Sequence, residues 1–499
     1  MYQPDDDRIW IATGDVGREP IYLLPSMMNR HGLVTGATGT GKTTTIKVMA
    51  EAFSDMGTSV FMADIKGDVS GLCIPGTPSE SVDARLSEMG IVEFSFAGYP
   101  VRFFDLYGEQ GIPVRTTVSS LGPLLLSRIL GLNDTQTGVM QIIFKFADDN
   151  GLLMLDFKDL RSMVKFAGEN AKTFSTDYGN VSPASIGAIQ RRLLELEMAG
   201  GDRFFGEPEL DLRDWIAADE HGRGVINILE CVTLFQNPLL YSTFLLWMLS
   251  ELYEMLPEVG DLDKPKLVFF FDEAHLLFAD APKALLAKIE QVIRLIRSKG
   301  VGIFFITQSP ADIPNTVMTQ LGNKIQHALR SYTPNEQKVI KAAAGSFRPN
   351  PAFDSATVIS ELATGEALIS ALDEKGAPEM VKRGFILPPR CSFAPASPDQ
   401  IEQITDSSSL FTKYREPFDR HSAYEVLEER AAQQALQDER ESLEAERQKE
   451  LKKQAKTSSK PRSRSASSPL EKALTSSLSQ IGRSVSRELV RGVFGTFKK

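Results

Sequence analysis

Short runs of apolar residues recur along the chain, and segments with helical spacing separate them. Several runs are apolar at every position, which is typical of strands covered on both faces. Because the runs alternate with helical segments, we predict an α/β protein with a mostly parallel, doubly wound sheet. The predicted strands are Leu33–Thr35, Ser59–Ala63, Val101–Phe104, Val225–Leu229, Leu267–Phe271, Gly302–Thr307, Lys324–Leu329 and Glu366–Ser370.

Residues 121–215 interrupt this alternation, because helical signals follow one another there without a strand. The best start signal is Ser182-Pro183, where Ser suits the cap and Pro the first helical position. We predict that 121–215 is an inserted helical subdomain. It separates residues 1–120, an N-terminal hairpin and the first part of the core, from residues 216–390, the remainder. The predicted helices are Pro123–Leu130, one after Asn133, one after Asp156 and one that opens at Ser182-Pro183.

Residues 391–499 are predicted to form a helical and partly disordered tail. Mixed-sign charges at helical spacing from Tyr424 to Lys456 predict an exposed or coiled-coil-prone helix. The Ser-, Lys- and Arg-rich segment from Lys456 to Ser468 favours disorder. From Leu470 onward, apolar residues every three or four positions among arginines predict a basic amphipathic helix. That helix could dock on its own protein, lie on an anionic membrane surface or grip DNA phosphates.

A glycine-rich segment follows the first predicted strand and matches the pattern GxxxxGK(S/T) in full. Glycines let backbone N–H groups curl around phosphates, and the helix predicted at Thr44–Phe53 adds the positive end of its dipole. We predict a RecA-like P-loop NTPase core that binds ATP, with Lys42 on the β- and γ-phosphates and the Thr43 hydroxyl on Mg²⁺. The predicted nucleotide-binding residues are Gly36, Ala37, Thr38, Gly39, Thr40, Gly41, Lys42, Thr43 and Thr44.

Two acids, Asp272 and Glu273, close the apolar strand Leu267–Phe271. The carboxyl end of such a strand lies at the ligand crevice of an α/β sheet. We therefore predict that Asp272 holds Mg²⁺ through water and that Glu273 orients and deprotonates the attacking water. The alternative is a pair of acids that favours a helix N-terminus for electrostatic reasons.

Gln308 follows the strand Gly302–Thr307 and is a candidate γ-phosphate sensor; the alternative is a turn residue. Arg297 precedes that strand, and Arg330 follows the strand Lys324–Leu329. Either arginine could supply positive charge to the transition state, or be a helix-end or surface residue.

The charged turn Asp64-Ile65-Lys66-Gly67-Asp68 ends the second core strand. It has two interpretations. It could shape the nucleotide or subunit interface, or it could be an ordinary charged turn.

The net charge of −10 conceals an asymmetry. Residues 451–499 carry 12 Lys/Arg and 2 Asp/Glu, so they contribute +10 and leave −20 for residues 1–450. An acidic body removes the simplest argument for DNA binding, although a narrow basic channel can be hidden in the total. The three cysteines share no CxxC spacing and fit a reducing compartment. We expect a cytoplasmic protein, with peripheral contact at the inner membrane face as an option for the tail.

Taken together, the motifs resemble the HerA–FtsK superfamily of DNA-pumping ATPases, and most closely its bacterial HerA-like, YjgR-like branch. The resemblance covers Ile9 to Pro389 and implies Arg297 as the catalytic arginine. It also implies a hexameric ring with ATP between subunits and double-stranded DNA in a central pore. The residues that carry it are Gly36–Thr43, Asp64–Asp68, Phe271–Ala274, Arg297-Ser298-Lys299-Gly300, Thr307-Gln308-Ser309-Pro310 and Asn323 through Arg330.

The leading hypothesis is thus a ring-forming, ATP-driven motor on double-stranded DNA. One rival keeps ATP hydrolysis but acts as a translocase or remodeller of protein at a membrane surface. The other is a scaffold that binds ATP without hydrolysing it.

Overall fold

A computed structural model describes residues 1–260, 262–278, 283–330 and 333–457. Within them, thirteen strands form one sheet in the order β1-β2-β13-β12-β11-β4-β10-β9-β5-β8-β6-β7, and β3 pairs with β2. The strands are β1 Tyr2–Gln3, β2 Arg8–Gly14, β3 Pro20–Leu23, β4 Gly32–Thr35, β5 Ser59–Asp64, β6 Val101–Asp105, β7 Ile112–Pro113, β8 Ile226–Glu230, β9 Leu267–Phe271, β10 Val301–Thr307, β11 Asn323–Gln326, β12 Glu366–Ser370 and β13 Lys382–Ile386.

The centre of the sheet, from β11 through β4, β10, β9, β5 and β8 to β6, is parallel throughout. Antiparallel pairing begins at β12 and continues through β13, β2, β3 and β1. The predicted α/β class and mostly parallel sheet are therefore confirmed. One predicted strand is too long, because β11 ends at Gln326 and not at Leu329. Since parallel strands share one direction, the residues that follow β4, β5, β9 and β10 meet at one edge.

Helices cover both faces of the sheet. They are α1 Lys42–Asp55, α2 Glu80–Met89, α3 Val118–Ile129, α4 Asp134–Asp149, α5 Phe157–Glu169, α6 Ala171–Asp177, α7 Pro183–Met198, α8 Gly201–Phe204, α9 Pro238–Met255, α10 Lys283–Ile296, α11 Asn315–Met318, α12 Pro334–Gly345, α13 Ser355–Glu361, α14 Pro398–Ser407, α15 Ser409–Tyr414 and α16 Ala423–Thr457.

Three of the four helix starts predicted for residues 121–215 are confirmed by their caps. The fourth, Pro123, lies inside α3, which begins at Val118 and is kinked at Gly122. The side chains of Asn133, Asp156 and Ser182 each accept a hydrogen bond from a backbone N–H in the first turn of α4, α5 and α7. Such caps satisfy donors that have no partner within the helix.

Alternate side chains of the central strands enter two apolar clusters. Phe269 and Phe271 of β9 pack with the helices of residues 118–255, whereas Val268 and Phe270 pack on the α1 side. Burial on both faces explains why β9 is apolar at every position. The compact unit reaches from Met1 to Glu428, beyond the predicted end of the core at 390, and Tyr414 is fully buried within it. The finer division into four segments stays a prediction.

The second unit begins at Glu429 and contains most of α16, whose residues are exposed from Glu428 to Lys453, as predicted. The basic amphipathic helix predicted from Leu470 lies outside the described residues. Of the helices that the structure describes, none combines the length and the apolar character needed to cross a membrane.

Candidate active site

The phosphate loop connects β4 to α1 and depends on its glycines. Gly36, Gly39 and Gly41 have φ values of 155°, 76° and 112°, a region that L side chains rarely adopt. A Cβ added at Gly36 would lie 2.5 Å from the Cβ of His327. Within the loop, the Thr40 hydroxyl donates to the Ala37 carbonyl at 2.7 Å.

The ammonium of Lys42 donates to the carbonyls of Gly36 at 2.6 Å and Ala37 at 3.0 Å. Burial lowers the pKa of Lys42, and the charge of Lys66 lowers it further, whereas Asp272 and Glu273 oppose the shift. Lys42 therefore lies within the field of the two acids that follow β9.

The structure brings the phosphate loop and the acids to one place. β9 pairs with β10 and β5, and β10 pairs with β4, so their carboxyl ends are neighbours. The Nζ of Lys66, just after β5, lies 2.8 Å from Oε1 of Glu273 and 3.4 Å from Oδ2 of Asp272. The Thr43 hydroxyl donates to Oδ2 of Asp68 at 2.9 Å. Residues of α1, β5 and β9 thus share one polar cleft.

Glu273 has a left-handed backbone, with φ 46° and ψ 47°. Such a conformation costs roughly 1–2 kcal/mol for a residue with a Cβ. Its carboxylate also faces Nδ1 of His275 at 3.3 Å and Nε2 of Gln308 at 3.5 Å. Burial acts to raise the pKa of Glu273, but the hydrogen bond and charge of Lys66, with help from His275 and Gln308, lower it overall.

Asp272 is buried and accepts a hydrogen bond from the backbone N–H of Glu273 at 2.9 Å. Burial raises the pKa of Asp272, and Lys66 opposes the shift. Four carboxyl groups crowd this cleft, from Asp64, Asp68, Asp272 and Glu273.

Lys42 and Lys66 do not balance those four groups, so the donor set fits a divalent cation. Among the described residues, no cluster of three or more His, Cys, Asp or Glu side chains could hold a metal unaided. Mg²⁺ does not need one, because it takes one or two carboxylates and completes its shell with phosphates and water. Thr43 and Asp272 would hold it here.

Asp64 shapes the turn after β5. The sequence left open whether this turn belongs to the site. The Asp64 carboxylate accepts the backbone N–H groups of Gly67, Asp68 and Val69 at 2.8–3.2 Å. Burial, with the charge of Asp68, raises the pKa of Asp64 to about 6. These bonds aim Lys66 and Asp68 at the cleft, so the turn belongs to the site. In the sequence, this turn can be recognised by two acids, Asp64 and Asp68, on either side of Lys66-Gly67 at the end of a buried strand.

His327 was missed by the sequence analysis. Its Nδ1 lies 2.9 Å from the Glu366 carbonyl, so Nδ1 carries the proton and Nε2 accepts from the Thr45 hydroxyl at 2.8 Å. Burial lowers the pKa of His327 to about 4. The neutral ring supports the phosphate loop from below, where the backbone of Gly36 packs against it.

The two candidate arginines lie at different places in the fold. Arg297 belongs to a short 3₁₀ turn, Arg297–Lys299, just before β10, whereas Gln308 directly follows β10. Because β10 has seven residues, roughly 20 Å separates its two ends. Arg330 is exposed and donates to the carbonyls of Ser360 and Leu362 near the end of α13. The prediction that Arg330 closes a strand is wrong, since β11 ends four residues earlier.

Arg297 lines a basic cavity of about 400 Å³ at the amino edge of the sheet. No acidic side chain among the described residues lines this cavity. The cavity, here called the basic cavity, also contains Arg30, Arg294 and Lys324.

Fold and cleft together define a P-loop ATPase with a RecA-like core. Comparison with known proteins then assigns the family: the helicase HerA-like C-terminal family matches residues 11–499, and the chain belongs to it. The DNA double-strand break repair helicase HerA of Sulfolobus acidocaldarius is 21% identical over 375 residues, which are 74% of this chain and 67% of that protein. A probable helicase of Methanocaldococcus jannaschii is 30% identical over 122 residues, 24% of this chain and 22% of that protein.

Solved structures support the fold. The bacterial conjugative coupling protein TrwB, in its unbound monoclinic form, aligns with a TM-score of 0.50 at 14% identity, over 80% of this chain and 93% of that one. TrwB in complex with ADP and Mg²⁺ aligns with a TM-score of 0.50 at 14% identity, over 79% of this chain and 93% of that one. This chain is an ATP-driven motor ATPase of the HerA–FtsK type, and ATP and Mg²⁺ are its cofactors.

Proposed function

We propose that this protein is a cytoplasmic, ring-forming motor that hydrolyses ATP to move or unwind double-stranded DNA. The observation that carries the proposal is the cleft in which Lys42 and Thr43 meet Asp272 and Glu273, because these groups match the needs of phosphoryl transfer to water. Membership of the HerA-like family supports it, as does the relative described as a DNA repair helicase.

The contacts support the following roles. The loop from Gly36 to Thr44 and the ammonium of Lys42 bind the triphosphate. Thr43 and Asp272 would hold Mg²⁺, which would supply positive charge beside the phosphates. Glu273 accepts the proton of the attacking water, and Gln308 orients that water from the neighbouring strand.

We assign the catalytic arginine to Arg297, acting on a neighbouring copy. Arg297 lies roughly 20 Å from its own Glu273, since β10 separates them. Its basic cavity is complementary in charge to the acid-rich cleft at the opposite edge of the sheet, as a head-to-tail ring would require. The family resemblance points to Arg297 rather than to Arg330 for this role.

Subunit mixing tests this assignment. Lys42→Ala and Arg297→Ala should each abolish ATP turnover. An equal mixture of the two variants should recover roughly a quarter of the ATP turnover. In a randomly mixed ring, roughly a quarter of the interfaces combine an intact Lys42 with an intact Arg297. Arg330→Ala is the matched control and should stay active alone. A mixture that forms rings by sedimentation yet stays inactive would remove the trans assignment.

Duplex DNA tests the substrate. ATP turnover by the assembled ring should rise when duplex DNA is added and should not respond to a polyanion such as heparin. No stimulation by duplex would reject DNA as the substrate while leaving the ATPase in place.

The charge asymmetry between the acidic body and the basic residues 451–499 favours one second candidate, a protein translocase or remodeller at a membrane surface. Flotation with anionic vesicles, comparing the full chain with a chain that ends after Glu428, tests it. The chain is cut after Glu428 because Cys391 and Tyr414, which precede that residue, are buried in the compact unit. Binding that persists without the tail would exclude the tail as the anchor.

A further inference from the structure

Lys66 contacts both acids of the cleft, whereas the sequence analysis offered a role only for the turn that contains it. Its side chain is 39% exposed, whereas the side chains of Asp272 and Glu273 are 11% and 9% exposed. The ammonium therefore lies at the mouth of the cleft and the carboxylates at its base. Because the Asp64 carboxylate fixes the backbone of residues 67–69, the Lys66 side chain starts from a rigid turn.

The contact with Lys66 occupies a carboxylate oxygen of Glu273, the group that accepts a proton in the proposed mechanism. Oε1 of Glu273 lies 2.8 Å from the Lys66 ammonium, a charge-assisted hydrogen bond. Oε2 faces His275 at 3.3 Å, while Gln308 lies at 3.5 Å, near the limit of a hydrogen bond. A carboxylate so paired is a poor acceptor for a water proton, since the ion pair favours its charged form.

Lys42 and Lys66 also converge on the same space. Lys42 is held at the loop by two carbonyls, and the charge of Lys66 acts on it. Two ammonium groups in one cleft repel each other, and an anion bound between them relieves the repulsion. Lys42 is held at the phosphate loop, whereas Lys66 contacts the two acids.

We propose that Lys66 is a positioning residue that holds Glu273 in an ion pair until a terminal γ-phosphate draws the ammonium away. A triphosphate, unlike a diphosphate, then frees Glu273 to accept a proton. The inference rests on the proposed function, because it takes Glu273 as the proton acceptor.

Binding gives a readout that does not depend on turnover. Lys66→Met keeps the length of the side chain without its charge. It should weaken the binding of ATPγS roughly tenfold or more and leave ADP affinity within about twofold, since a hydrogen bond to a charged group is lost only with the triphosphate. Lys66→Arg should retain the preference for ATPγS. Lys172→Met, at an exposed position on α6, is the matched control and should behave like the wild type.

Equal losses of ATPγS and ADP affinity in Lys66→Met, or no change in either, would overturn the proposal. If Glu273→Gln left turnover intact, the proposed function would fail instead, and the binding comparison would still report on Lys66.

Discussion

The hydroxyl of Thr43 donates a hydrogen bond to the carboxylate of Asp68 across 2.9 Å, although Asp68 follows β5 and not β9, the strand before Asp272 and Glu273. Thr43 is also the proposed Mg²⁺ ligand of the phosphate loop. A carboxylate that orients a ligand in this way usually tunes metal affinity. The turn after β5 thus contacts a proposed Mg²⁺ ligand through Asp68 and contacts Glu273 through Lys66.

Asp68→Asn should therefore weaken the response to Mg²⁺. We expect the Mg²⁺ concentration for half-maximal ATP turnover to rise roughly tenfold or more, the usual effect of losing a partner of a metal ligand. The measurement is a Mg²⁺ titration of turnover at saturating ATP. Asp83→Asn, exposed on α2, is the matched control. An unchanged titration would show that the contact with Asp68 does not serve the metal site.

Glu273→Gln should separate hydrolysis from binding. The amide cannot take a proton from water, so kcat should fall by roughly 10²- to 10⁴-fold. ATP should stay bound, because the phosphate loop and Lys42 are untouched. Quenched-flow turnover and equilibrium binding of ATP measure the two effects. Unchanged turnover would favour the rival in which ATP is a structural ligand.

Local sequence reasoning found the centre of the sheet because strands buried on both faces are recognisable without knowing their partners. β13 was missed for the opposite reason. Its residues Lys382–Ile386 alternate between partly or fully exposed and buried, and the strand depends on pairing with β12 and the distant β2. β11 was predicted too long because Ala328 and Leu329 are apolar. They are buried against α12 and α13, outside the sheet.

The site divides in the same way. The phosphate loop and the two acids after β9 are local patterns, so their chemistry can be recognised from the sequence alone. The contact between Lys66 and Glu273 requires β5 beside β9, which no local pattern specifies. His327 was invisible because its role comes from Thr45 and the Glu366 carbonyl, which are remote in sequence.

The left-handed backbone of Glu273 predicts that glycine at this position is more stable than alanine. Glycine adopts φ 46° without strain, so Glu273→Gly should be more stable than Glu273→Ala by about 1 kcal/mol. Both variants lose the ion pair with Lys66, and the comparison isolates the backbone term. Urea unfolding monitored by tryptophan fluorescence measures it. An alanine variant more stable than the glycine variant by about 0.5–1 kcal/mol, the extra backbone entropy that glycine loses on folding, would show that the conformation carries no strain.

A buried histidine predicts loss of stability in acid. His31 accepts the Ile303 N–H at Nδ1 and so donates from Nε2 to the Ile293 carbonyl, and burial lowers its pKa to about 4. In the unfolded chain this histidine binds a proton near pH 6.5. Between pH 6.5 and pH 4 only the unfolded state is protonated, so the free energy of unfolding falls as the pH is lowered. From pH 6.5 to pH 5 the loss should be about 2 kcal/mol, at about 1.4 kcal/mol per pH unit.

The variant His31→Asn isolates this term. Burial raises the pKa of Glu51 to about 7 and of Asp64 to about 6, which acts in the opposite direction, but those groups are common to both proteins and cancel in the difference. Wild type should thus lose about 2 kcal/mol more than His31→Asn between pH 7 and pH 5 in urea unfolding. His221→Gln, at an exposed position, should follow the wild type. If His31→Asn lost as much stability as the wild type, His31 would not be the neutral ring that links α10 to β10.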